Sequence, residues 1–238
     1  MEIKVIKTGS IGNCYALKNN SGQILLLDCG VPFQEIMVKL DFNINQINGC
    51  IVSHSHADHI NPKTAERLMN SGIYVWKAFE DKSHTQKFIG DFRVISFDVP
   101  HDGVENRGFL IQCGEIRILY ITDVEYCRHN FQMFGVDAIL IECNYQSKYV
   151  DMNIDHLAHV YRGHMELQTC CGFIKANQSK HLKNVILCHL SLSNANPEEC
   201  RKAAADITEA TVDVAQAGMT IQIGNATKGR IENETDFY

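Results

Sequence analysis

The stretch SHSHADHI, residues 53–60, places three histidines and an aspartate (His54, His56, Asp58, His59) within six positions. An apolar run, GCIVS, leads into it, and NPKTAERLM, which has helical character, follows. Imidazole nitrogen and carboxylate oxygen are both ligands for divalent metals. In an extended loop residues i and i+2 point to the same side, so His54 and His56 converge on one ion. Asp58 and His59, at the turn into the helix, then face a second ion beside it. Incidental histidines on a solvated turn would produce HxHxDH in roughly one sequence per thousand of this length, so the pattern is read as a metal loop.

Two ions about 3.5–4 Å apart need more ligands than one loop supplies. Donors of the right type stand after three apolar strands further on. His101 follows FDVP, Asp123 ends ILYIT, and His189 ends NVILC. The expected first site is His54, His56, His101 and Asp123. The expected second site is Asp58, His59, His189 and the same Asp123, which has two oxygens and bridges. The implied cofactor is a pair of divalent ions, with zinc the first choice and manganese and iron also suited to such ligands.

The rest of the chain reads as strands alternating with helices. EIKVIK, NCYAL and QILLLDC are short apolar runs separated by turn residues and predict an antiparallel start. VPFQEIMVKL has helical spacing, and Asn61-Pro62 and Asn196-Pro197 each read as an N-cap followed by proline in the first turn. GIYVW, DFRVISFDV, GFLIQC, EIRILYITD, DAILIEC, NVILCHL and MTIQIG predict further strands, with a hairpin at Cys113-Gly114. Residues 78–88, the region 149–176 and NPEECRKAAADITEA are expected to be helical. No repeat or linker divides the chain. The expectation is one α/β domain over 1–238, two sheets packed face to face with helices outside, and a polar tail over about 226–238.

Bulk properties set limits. Hydrophobic residues make up 45% of the 238 and charged residues 21%, which suits a globular protein with a real core. No apolar run approaches the eighteen or so residues of a membrane span, and no export signal is read at the start, so a cytoplasmic protein without a membrane partner is expected. Ten cysteines without a CxxC pair read as reduced thiols. The net charge of −6 weighs against a basic face for duplex nucleic acid and says little about a small anionic substrate. A homodimer is left open.

With these residues in view, the chain resembles the metallo-β-lactamase fold superfamily. HSHADH looks like its signature, and His101, Asp123 and His189 match its later metal motifs. The resemblance implies an αββα four-layer sandwich, and a role for Asp28, in LLLDCG, in orienting the metal loop from behind. It is closer to the WalJ/YycJ exonuclease-like branch. TGSIGNCYAL, VPHDGVENRGFLI, ITDVEY, LIECNYQ, GHMEL and CHLSLSNANPE are each similar to a segment of that branch, from about Ile3 to Ile223. Ser10-Ile11 replaces a small polar pair, and Glu166 stands where that branch has serine.

The function this implies is hydrolysis of a phosphodiester, in a nucleic acid or a nucleotide, by a hydroxide held between two metals; a DNA exonuclease-like nuclease ranks first. Asp58 is expected to accept the proton of the attacking water, and His164 to contact phosphate or act as general acid. Asn13, Asn144, Ser191 and Asn196 are weaker candidates for substrate contact, since turn chemistry accounts for each equally well. His156 and His159, three apart in an expected helix, are read as exposed, as are His84, His129 and His181. Phe and Tyr are dispersed, and no stacking platform is read. A cyclic-nucleotide phosphodiesterase of the same fold is the alternative. A thioesterase, a lactamase or a non-catalytic nucleotide-binding member ranks below it.

Overall fold

Residues 1–153 and 157–224 are described by this computed structural model; the expected tail and His156 lie outside the described residues. Alternation and turn chemistry make the first sheet. β1 (Glu2–Lys7), β2 (Cys14–Lys18) and β3 (Ile24–Leu27) are antiparallel neighbours. Two crossovers then add parallel strands: α1 (Phe33–Lys39) leads to β4 (Ile47–Val52), and α2 (Pro62–Asn70) to β5 (Tyr74–Lys77). Asn61 caps α2 by accepting from Thr64 N–H at 3.2 Å, with Pro62 behind it.

The second sheet begins with β6 (Gln86–Ile89), β7 (Phe92–Val99), β8 (Asn106–Cys113) and β9 (Ile116–Ile121), all antiparallel. β10 (Ala138–Glu142), β11 (Asn184–Cys188) and β12 (Thr211–Val214) continue it in parallel. α3 (Leu157–Gly163) and α4 (Leu167–Ala176) lie between β10 and β11, and α5 (Pro197–Ala205) between β11 and β12. β13 (Thr220–Gln222) returns to the first sheet beside β1. The two mixed sheets therefore have six and seven strands, with five α-helices among the described residues.

Three apolar clusters hold four layers together. Ile36, Leu40, Ala65 and Leu68 of α1 and α2 pack on Leu26, Cys50 and Val52 of the first sheet. Tyr15, Leu25, Leu27 and Trp76 meet Phe109, Tyr120, Leu140 and Ile186 between the sheets. Leu167, Cys170, Ile174, Cys200 and Ala204 cover Leu119, Ile139 and Leu187 from outside. This is the expected αββα sandwich. All ten cysteines are free, and eight are buried. Among the described residues no helix is long and apolar enough to cross a membrane.

Three expected helices are shorter or absent. Residues 78–88 hold one 3-10 turn at Ala78–Glu80 and then β6, because Gly90 (φ 55°) lets Ile89 pair with Phe92 in a hairpin that outweighs helical spacing. The 149–176 region splits, since His164-Met165-Glu166 leave the helix and Glu166 caps α4. α5 stops at Ala205, and Thr211–Val214 is a strand buried on one side.

The topology gathers strand ends. β7, β9, β10 and β11 run in one direction, so their C-terminal ends share one edge. β3 and β4 are likewise parallel, and the loops after them are stitched together. Cys29 N–H donates to His59 O at 2.9 Å, Asn61 N–H to Cys29 O at 3.0 Å, and Asn13 N–H to Asp58 O at 2.7 Å. A Cβ on Gly30 would stand 1.7 Å from Asp58 O, so the metal loop can lie there only against glycine. Gly30→Ala is expected to push Asp58 and His59 outward and to cost on the order of 1–3 kcal/mol by overpacking. Urea denaturation measures the stability loss and metal titration the displaced loop; an unchanged midpoint and affinity would refute the close-approach account.

Candidate metal centre

Three of the residues that matter end their strands in the left-handed region. Asp28 (φ 58°), Asp123 (φ 47°) and His189 (φ 53°) follow β3, β9 and β11. A non-glycine residue there is strained and persists only where its surroundings hold it. The turn redirects each side chain off its sheet toward the common edge. Asn106 secures one such turn by donating to Thr122 O at 3.0 Å and Asp123 O at 2.5 Å. Thr8 secures another, accepting from His189 N–H at 3.0 Å.

The structure brings seven side chains from four parts of the chain into two groups. His54, His56, His101 and Asp123 form one; Asp58, His59, His189 and the same Asp123 form the other; a third group, outside the expected seven, joins Asp123 and His189 to Glu142 and His164. Within each group the donor atoms lie within 4.8 Å of one another. Asp123 Oδ1 is 3.1 Å from His59 Nε2, and its Oδ2 is 3.7 Å from His54 Nε2 and 4.0 Å from His101 Nε2. Asp58 Oδ2 stands 3.5 Å from both His59 Nε2 and His189 Nε2.

Outer partners fix how the imidazoles point. His59 Nδ1 donates to Asp28 Oδ2 at 2.7 Å, His101 Nδ1 to Gly163 O at 2.7 Å, and His189 Nδ1 to Glu142 Oε1 at 2.8 Å. His54 Nδ1 is 3.0 Å from Ser53 Oγ. In all four rings Nε2 is left to face the centre. His56 is reversed: its Nδ1 faces inward, 3.1 Å from His101 Nε2. Asp28 is saturated, also accepting from Ser53 N–H (2.7 Å), Ser53 Oγ (3.0 Å) and the Tyr120 hydroxyl (2.5 Å).

Among the described residues three buried side-chain atoms have no hydrogen-bond partner; one is Arg107 Nε, and the other two, His54 Nε2 and His189 Nε2, belong to the cluster. Such atoms are costly unless something fills the space they face. The two histidine atoms face a cluster that also holds a buried carboxylate, which is the donor chemistry of a divalent cation. The residues therefore fit metal, and several of the groups could hold an ion.

Charge balance agrees. Burial pushes the His54 imidazole well below its ordinary range, and Asp123 only partly offsets this. Burial acts the same way on His59 and His189 but is outweighed by carboxylates; Asp123 and Asp28 raise His59, and Asp123, Asp58 and Glu142 lift His189 to about 10. Burial would raise the Asp123 carboxyl, yet His189 and His59 hold it well below the carboxylate range. The buried carboxylates thus leave an excess of negative charge around the cluster, which a cation would balance.

Beside the cluster, His164 Nδ1 is 2.8 Å from Glu142 Oε1, and its ring stacks on His189 at 5.3 Å. Glu142 is fully buried and spends its other oxygen on Val124 N–H (2.7 Å) and Met165 N–H (3.2 Å). Its part in holding both His164 and His189 is not readable from LIEC; only the motif resemblance marks the residue. Burial lowers the pKa of His164, but Glu142 outweighs it and the net direction is up.

The weaker candidates divide. Asn13 is buried, ties Gly9 to the metal loop, and its Nδ2 is 2.9 Å from His59 Nε2. Asn144 Nδ2 donates to His189 O at 2.8 Å. Asn196 caps α5 by accepting from Glu198 and Glu199 N–H. Ser191 stays on the half-exposed rim, 3.1 Å from Ser193 Oγ. His159 is no ordinary exposed histidine. Its Nδ1 is 2.8 Å from Asp102 Oδ2, and its ring stands 5.4 Å from His164 and 6.0 Å from His101. Tertiary packing of α3 places it there, and spacing along the helix carries no sign of it.

Known proteins are similar in sequence and in fold. A family model described as anti-Pycsar protein Apyc1 matches residues 10–78. The exodeoxyribonuclease YycJ of Bacillus anthracis is 25% identical over 242 residues, covering 88% of this chain and 89% of that protein. The anti-Pycsar protein Apyc1 of Paenibacillus harenae is 32% identical over 65 residues, 25% of this chain and 27% of that one. The metallo-β-lactamase fold protein YhfI of Bacillus subtilis superposes with a TM-score of 0.72 at 20% identity, covering 92% of this chain and 98% of its own. The chain thus has the metallo-β-lactamase fold, with an imidazole–carboxylate cluster at the shared strand ends, and is similar in sequence to the YycJ and WalJ exodeoxyribonucleases.

Proposed function

We propose that the chain is a single-domain, metal-dependent hydrolase of phosphodiester bonds, most closely a nuclease. The observation that carries this is the pair of donor groups sharing Asp123, with the Nε2 atoms of His54 and His189 buried and unpartnered. The name of the YycJ relative supports a nucleic-acid substrate. His54, His56, His101 and Asp123 would hold one divalent ion, and Asp58, His59, His189 and Asp123 the other, with zinc first among the metals that suit these donors. When bound, such ions lower the pKa of water toward about 7 and offset charge on phosphoryl oxygens.

The chain's own residues supply the proton handling. Asp58 is ionised, held below the carboxylate range by His189 and His59 despite its burial, and it accepts a proton from the attacking water. Glu142 on the Nδ1 of His164 shifts its pKa upward, and the ring's other nitrogen is placed to deliver a proton to the leaving oxygen. Asp28 keeps the His59 ring aimed, and Gly163 O does the same for His101.

Metal binding and turnover test this. Adding divalent zinc at about 100 times its dissociation constant is expected to stabilise metal-free protein by about 2.7 kcal/mol, a rise of roughly 5–10 °C in melting temperature. Elemental analysis of wild-type protein should find about two ions per chain, and His54→Ala about one; wild-type protein that takes up no metal would remove the reading. His164→Ala should lower kcat on a dinucleotide about 10²- to 10⁴-fold, yet barely slow bis-p-nitrophenyl phosphate, whose leaving group needs no proton. Equal losses on both substrates would make His164 a phosphate contact instead. A panel of DNA, RNA and cyclic nucleotides ranks the substrates, and turnover of cyclic nucleotides alone would reverse the order given.

A further inference from the structure

Solvent meets the metal cluster at a few of its members. His54, His59, His101, Asp123 and His189 are buried, whereas His56, Asp58 and the neighbouring His164 are half-buried. His159, on α3, stands beside this accessible part. Its ring centroid lies 5.4 Å from that of His164, 6.0 Å from His101 and 6.5 Å from His56. Gly163 leaves room for it, since a Cβ there would stand 3.2 Å from His159 Cε1.

The ring is held from behind. His159 Nδ1 is 2.8 Å from Asp102 Oδ2. Asp102 takes a left-handed backbone (φ 39°), which persists only where its surroundings hold it, and its N–H donates to Arg162 O of α3 at 3.1 Å. A carboxylate keeps the proton of a neutral imidazole on the nitrogen it faces, which leaves the lone pair on the other. Among the described residues no hydrogen bond engages His159 Nε2, and the side chain is 42% exposed. His159 also belongs to none of the three donor groups of the cluster. The mouth of the site thus carries a hydrogen-bond acceptor that the protein itself does not use.

An acceptor calls for a donor on the substrate. Phosphoryl oxygens also accept, so a neutral ring turned this way gains nothing from them. On a nucleotide the donor nearest the diester is the ribose 2′-hydroxyl, which deoxyribose lacks. We infer that His159 is a specificity-determining residue that accepts a hydrogen bond from the ribose hydroxyl beside the reacting diester, with Asp102 as its positioning residue. This rests on the phosphodiesterase reading and narrows its substrate to ribonucleotides, the opposite sugar from the one in the name of the YycJ relative. A linear oligoribonucleotide and a cyclic ribonucleotide both present that hydroxyl.

The test compares substrates that differ by the hydroxyl alone. The dinucleotide UpU is set against dUpU, and 3′,5′-cyclic UMP against its 2′-deoxy analogue, with added zinc at about pH 8. Wild-type kcat/KM is expected to be about tenfold higher for the ribose member of at least one pair. A preference in the linear pair assigns the hydroxyl to an oligoribonucleotide, and one in the cyclic pair to a cyclic ribonucleotide. His159→Phe is expected to bring the ratio to about one. His159→Gln, whose amide oxygen still accepts, should keep part of it, and Asp102→Asn, which no longer fixes the tautomer, should lower it about threefold. A melting curve and elemental analysis check that each variant is folded and holds metal. A purely structural role for His159 would lower both members of a pair alike and leave the ratio unmoved. Equal turnover of the two sugars, a deoxyribose preference, or a ratio that survives His159→Phe would each overturn the assignment. Hydrolysis of bis-p-nitrophenyl phosphate, which has no sugar, is measured on wild-type protein in parallel. Its absence counts against the phosphodiesterase reading, whereas its presence without a ribose preference counts against the role of His159 alone.

Discussion

Buried negative charge is the constraint that organises this molecule. Asp28 and Glu142 have no solvent exposure and Asp123 has 2%. Each would cost several kcal/mol if left unmatched. Asp28 and Glu142 are matched by four donors apiece, and in both cases one donor is an imidazole of the cluster. Asp123 sits inside that ring and meets imidazoles on both oxygens. The outer carboxylates thus spend their charge on turning Nε2 atoms inward, and the inward atoms create the demand for a cation. Orientation and affinity come from the same set of contacts.

The same constraint explains why strain collects at strand ends. A strand directs side chains alternately to its two faces, and neither direction points along the sheet toward its edge. Left-handed turns at Asp28, Asp123 and His189 solve this at a local cost. Asn106, Thr8 and Ser53 hold those turns with hydrogen bonds. Each of these helpers is a common polar residue, which is why their work leaves no mark in composition.

Much of the architecture was legible because it follows from periodicity. Apolar runs such as ILLL, AILIE and NVILC are buried along their whole length, as strands covered on both faces must be, and Asn-Pro marks the starts of α2 and α5. Gln86–Ile89 escaped notice because its alternation is weak and Gly90 acts only through the hairpin it permits. In the site, residue types after strands pointed to the seven donors, but relationships between distant segments were invisible. Glu142 reads as the end of a strand until His164 and His189 are seen against it. Asp102 and His159 look unrelated until the fold sets one against the other.

The first sheet is completed by β13, whose Thr220–Gln222 pair with Lys4–Glu2, and Ile223 N–H reaches Met1 O at 2.8 Å. Between those partners lies nearly everything else, including all of the second sheet. Closing so long a span carries a large entropic penalty before any contact rewards it. During synthesis the edge of β1 therefore stays bare until the ribosome has delivered almost every other strand. The last hydrogen bonds to form act as a clasp, and the exposed edge before that moment is where a nascent chain is most open to pairing with a stranger.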